Sequence, residues 1–106
     1  MLVANMAIVL PAQDQLIDSL KRKNVAFAAL FGSRAKGMEK SDSDYDFLIE
    51  FQPEARYTLF DIVDVKDDLQ EILHSPVDVI TTAALNPRLK DEILGSLQVL
   101  YDERQR

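Results

Sequence analysis

Apolar positions along the chain fall into four short runs and three longer stretches at helical spacing. The run Val25–Phe31 (VAFAALF) is almost wholly apolar, which predicts a short strand buried on both faces. Tyr45–Phe51 (YDFLIEF) predicts a second strand. Side chains alternate along a strand, so Asp44 and Asp46 should share one face while Tyr45 and Phe47 take the other. Val77–Thr81 (VDVIT) follows Pro76 as a third strand, and residues 97–101 (LQVLY) predict a last one at the sheet edge.

The longer stretches read as helices. Pro11 suits a first helical turn, Leu16, Ile17 and Leu20 form an apolar face, and Asn24 is a stop. Lys21, Arg22 and Lys23 fall in the last turn, where the helix dipole favours cations, so helix-end chemistry accounts for them. Thr58 with Asp61 forms a capping box for a helix reaching about residue 74. Its Ile62, Val65, Leu69, Ile72 and Leu73 should face the core, with Asp61, Asp64, Asp68 and Glu71 as a solvated stripe opposite. A docking surface for a basic partner is the sharper reading of that stripe. Tyr57, Leu59 and Phe60 read first as the inward-facing start of this helix and second as an apolar contact patch. Asn86-Pro87 opens a third helix, Leu89, Ile93 and Leu94 should pack inward, and Gly95 ends it. The charged tail 102–106 should fray.

Chemistry concentrates in residues 30–50, LFGSRAKGMEKSDSDYDFLIE. A sharp turn at Gly32 and Ser33 would let a ligand approach the backbone closely. If Arg34, Ala35 and Lys36 open a short helix, its free N–H groups, its dipole and two basic side chains favour phosphate. With that helix the order is α-β-α-β-α-β-α-β, an α/β (α+β) fold in which helices pack on a mixed sheet. Asp44 and Asp46 repel one another unless a cation lies between them. Magnesium fits, because it binds one or two carboxylates together with substrate phosphates. Asp78 interrupts an apolar strand, where a carboxylate is costly unless paired, bound to metal or placed on an edge strand.

Composition narrows the classes. The 106 residues are expected to form a single domain, residues 1–106. The net charge of −6 argues against a general nucleic-acid-binding surface. The absence of cysteine fits a reducing cytoplasm, and the single histidine, His74, excludes a His-based zinc site and a Ser-His triad. The opening MLVANMAIVL has no basic flank or small-residue cleavage pattern, and it is too short to cross a membrane. The protein is therefore expected in the cytoplasm, with Met6 as an alternative start.

Gly32-Ser33, ten intervening residues and Asp44-Tyr45-Asp46 resemble the signature of the polymerase-beta-type nucleotidyltransferase superfamily. The fuller wording, FGSRAKG followed by SDSDYDFLIEF, is similar to its small stand-alone branch, the minimal nucleotidyltransferases (MNT). The likeness covers nearly the whole chain. Members of that branch are commonly encoded beside a HEPN-domain protein and act as the antitoxin of the pair. The resemblance implies a polymerase-beta-like core in which Gly32 and Ser33 hold the β- and γ-phosphates of ATP, assisted by Arg34 and Lys36. Arginine often stands where this chain has Lys36, so charge is kept while bidentate geometry is lost.

It further implies that Asp78 completes a carboxylate set holding two Mg2+ ions, with Asp44 and Asp46 bridging both. Asp78 would bind the ion that activates the attacking hydroxyl and could take its proton. Larger relatives carry extra domains for the acceptor, so acceptor specificity would come from another molecule. By resemblance that molecule is a HEPN toxin, the product is AMP on one of its tyrosines, and a homo- or hetero-oligomer is compatible. Two other classes compete: a non-catalytic antitoxin acting by complex formation, and an adenylyltransferase acting on a small molecule.

Overall fold

The computed structural model describes residues 10–32 and 44–104, the Leu89 side chain excepted. Two antiparallel strands, β1 (Val25–Phe31) and β2 (Tyr45–Phe51), form the centre of a four-stranded sheet. β3 (Val77–Thr81) lies parallel to β2, and β4 (Gln98–Asp102) lies antiparallel to β1, giving the order β3-β2-β1-β4. The interior strands are the most apolar ones, as burial on both faces demands.

A parallel pair needs a crossover, and α2 (Leu59–Leu73) supplies it between β2 and β3. Together with α1 (Gln13–Arg22) it covers one sheet face. There Leu16, Leu20, Val65 and Leu69 bury against Ala28, Leu30, Phe47 and Ile49. The other face is more thinly clad, with Phe27, Ala29 and Leu48 packing on Ile93 of α3 (Pro87–Leu94). A 3-10 turn at Thr82–Ala84 joins β3 to α3.

Local signals explain most boundaries. Thr58 accepts from the Phe60 N–H at 3.2 Å while its own N–H donates to Asp61 Oδ2 at 2.7 Å, completing the expected capping box. Asn86 caps α3 through the Arg88 N–H at 2.9 Å. Asn24, at φ 65°, turns the chain from α1 into β1.

Five expectations need correction. α1 starts at Gln13, because Ala12 is left-handed at φ 54° and Pro11 sits in the turn before it. Leu94 points outward, 45% exposed, so Ile93 alone of that pair faces the core. Leu59 and Phe60 are 78% and 82% exposed; the core-facing phase of α2 passes through Ile62, Val65, Leu69 and Leu73 and leaves these two outside. Asp68 is not a free member of the acidic stripe, since it accepts from Ser19 Oγ at 3.2 Å and pairs with Lys23 at 3.3 Å. The tail is tied down as far as Arg104: the Glu103 N–H donates to the Ala26 carbonyl at 2.7 Å, and the Arg104 guanidinium lies 3.9 Å over the Phe27 ring.

Candidate active site

The register of the sheet assembles the site. Phe31, the last residue of β1, pairs with Asp46, so Gly32 emerges directly beside that carboxylate. Gly32 adopts φ 81°, and a Cβ there would lie 2.5 Å from Asp46 Oδ2. Only glycine meets both demands, the left-handed backbone and the close approach. Asp46 also pairs with Asp78 across the parallel β2–β3 ladder, which sets both side chains on one face. The Tyr45 N–H donates to the Pro76 carbonyl at 3.0 Å and fixes the entry of β2 against that of β3.

Asp44, just before β2, and Asp78 are exposed, whereas Asp46 is half-buried. Burial first, then the charges of Asp78 and Asp44, pushes the Asp46 carboxyl above its ordinary value of 3.8. Burial and its two acidic neighbours thus disfavour the ionised state of Asp46, an effect that a bound cation would reverse. Among the described residues, no group of three His, Cys, Asp or Glu side chains could hold a metal ion by itself. Magnesium suits this donor set nonetheless, since it needs one or two carboxylates and takes its other oxygens from water and phosphate.

Among the described residues β3 is an edge strand, and Asp78 is exposed, so a carboxylate there escapes the cost of burial. Ser33, Arg34 and Lys36, with the short helix expected there, lie outside the described residues. Of the expected site residues, the structure therefore brings together Gly32, Asp44, Asp46 and Asp78.

Farther along the same face a cavity of about 400 Å³ is lined by Leu48, Glu50, Thr82, Leu85, Lys90 and Arg104, among others. Glu50 accepts from Thr82 Oγ1 at 3.2 Å and from Arg104 at 3.3 Å. Sequence reasoning missed Arg104. It stands in a charged tail with no periodicity, and only the pairing of β4 with β1 carries it onto this face.

Residues 14–106 match the family model described as Polymerase beta, Nucleotidyltransferase. The chain belongs to this family. It is a nucleotidyltransferase, and its mixed sheet with the helices packed on it is the polymerase-beta-like core.

A Methanocaldococcus jannaschii protein named as a protein adenylyltransferase is 41% identical over 81 residues, covering 76% of this chain and 85% of the relative. A second of the same name and organism is 37% identical, covering 65% of this chain and 74% of its own length. A solved structure described as a minimal nucleotidyltransferase superposes with a TM-score of 0.71 at 29% identity, covering 81% and 86% of the two chains. A toxin-antitoxin structure with AMP-PNP gives 0.74 at 19% identity, covering 89% of this chain and 76% of the other. A complex of tri-AMPylated Shewanella oneidensis HEPN toxin with MNT antitoxin gives 0.65 at 16% identity, covering 85% and 69%. At these last identities the likeness is one of fold.

Proposed function

We propose that this nucleotidyltransferase transfers AMP from ATP, with magnesium, to a tyrosine hydroxyl of a HEPN-domain toxin and so acts as its antitoxin. The observation that carries this reading is the pairing of Asp46 with Asp78 directly beside Gly32. The names of the Methanocaldococcus jannaschii relatives support the protein acceptor, and the toxin-antitoxin neighbours support the partner class.

In this reading Gly32 leaves the backbone bare for the triphosphate, with Ser33, Arg34 and Lys36 supplying N–H, hydroxyl and cationic contacts. Asp44, Asp46 and Asp78, together with the phosphate oxygens, would hold two magnesium ions, whose chemistry would be to neutralise charge on the phosphates. The acceptor hydroxyl attacks the α-phosphorus, a new P–O bond forms, and pyrophosphate departs carrying the electrons of the broken bond. Asp78, exposed at the edge of the sheet, is open to the acceptor and takes the hydroxyl proton. Such transfers need mainly positioning and charge neutralisation, so a small rigid core suffices.

The test is label transfer from α-labelled ATP into cell lysate and into a purified HEPN-domain protein from the same cells. Wild type should label one protein in a magnesium-dependent way, and Asp46→Ala should label none. Label in a small soluble product would instead assign a small-molecule acceptor. The outward-facing Leu59 and Phe60 favour one second reading, inhibition by complex formation alone. Neutralisation of the toxin by Asp46→Ala as efficiently as by wild type would establish it.

A further inference from the structure

Beside the core-facing Ile62 and Val65, the first two turns of α2 present three large apolar side chains to solvent. Leu59 is 78% exposed, Phe60 82% and Val63 50%. At positions i, i+1 and i+4 of one helix they form a continuous patch. Isolated exposed apolar residues are ordinary, but a clustered group of large ones marks a contact surface. Tyr57, stacked on Phe51 at 4.2 Å, borders the patch and anchors it to the end of β2.

The same outward face continues as Asp64, Asp67 and Glu71, all exposed, at spacings of three and four residues from Phe60. These three form no ion pair among the described residues. Lys66 is half-buried on the flank, and the exposed cation near the patch is Arg56. An apolar anchor thus leads into an acidic track about two turns long. We propose that this face of α2 docks a protein partner presenting an apolar contact beside lysines or arginines.

A second copy of the chain fits less well, because a two-fold contact through this face would bring the same acidic track from both copies into one interface. Position matters too. Phe51 lies five residues beyond Asp46 on β2, about 17 Å along the strand, and α2 covers the sheet face opposite Asp46. A partner seated here leaves the carboxylates open. Holding the acceptor and modifying it are then tasks of separate surfaces.

This inference takes from the proposed function only the partner's identity, the HEPN-domain protein. The experiment is titration of the wild-type protein with that purified protein at low and high salt. It is repeated with Leu59→Ser/Phe60→Ser, with Asp64→Lys/Asp67→Lys/Glu71→Lys, and with Asp46→Asn. All the surface positions changed are exposed, and unchanged circular dichroism would confirm that the variants fold. Loss of the apolar anchor should weaken binding by about tenfold or more. Charge reversal should slow association and abolish its salt dependence, while Asp46→Asn should bind as wild type does. Absence of binding, or binding indifferent to both surface variants, overturns the proposal. Self-association of wild type that vanishes in Leu59→Ser/Phe60→Ser would assign the face to a second copy and also overturn it. Binding that follows these expectations without labelling of the partner would sink the catalytic reading and leave the docking surface standing.

Discussion

Charges at the two ends of the sheet are handled in opposite ways. Where α1 and β4 meet the start of β1, each is matched: Lys21 pairs with Glu103 at 2.9 Å, Lys23 with Asp68 at 3.3 Å, and Arg104 with Asp102 at 2.8 Å. The Tyr101 hydroxyl donates to the Val25 carbonyl at 2.6 Å in the same region. At the other end, Asp46 faces Asp78 and Asp44, and its carboxyl is pushed upward by burial and by both of them. One end is arranged for a stable fold. At the other, no cation among the described residues pairs with the carboxylates, an imbalance that a bound metal ion would relieve.

Substitutions at the two ends should have unequal effects. Asp46→Asn preserves shape and removes the central charge; transfer should fall on the order of 10³-fold, read as label incorporation at saturating ATP and magnesium. Gly32→Ala comes next. Its left-handed backbone alone should cost about 1–2 kcal/mol, measured by denaturant unfolding. The added methyl must also displace Asp46, so transfer should drop sharply even where the protein remains folded.

The two ends should also differ in how they respond to pH. Because the folded-state value of Asp46 is raised, ionising it penalises the native state, and stability falls as pH rises through that value. Without magnesium at neutral pH, Asp46→Asn should therefore melt at a higher temperature than wild type. The difference should vanish once the medium is more acidic than the ordinary carboxylate value of 3.8. Magnesium with nucleotide should raise the melting temperature of wild type and leave that of the variant unmoved.

Asp68→Ala, at the matched end, should have the smallest effect. Its partly exposed pair with Lys23 and its bond from Ser19 are worth about 1 kcal/mol together. Unfolding should register that loss while label transfer stays at the wild-type rate.

The strands and the acidic half of the site were legible because they are written locally. Alternation through DYDFLIEF puts Asp44 and Asp46 on one face, and the apolar run before Gly32 marks a buried strand. That Asp78 would stand beside Asp46 came from family resemblance; periodicity says nothing about which strands pair, and the parallel register is a property of the whole sheet. Arg104 was illegible for the same reason, since its partner Glu50 is 54 residues away. The start of α2 is ambiguous in the sequence, because Leu59 and Phe60 are apolar enough either for a core or for an exposed patch, and the helix phase turns them outward. Pattern shows what a residue could bury, whereas packing decides what it does bury.

On this reading the Asp46–Asp78 end of the sheet holds a metal-bound triphosphate. Calorimetric titration with a non-hydrolysable ATP analogue tests it most directly, with and without magnesium, for wild type and Asp46→Asn. Binding that requires both the metal and Asp46 is the predicted result. Equal affinity in the absence of magnesium, or an Asp46→Asn variant that binds the magnesium complex as tightly as wild type, would contradict it.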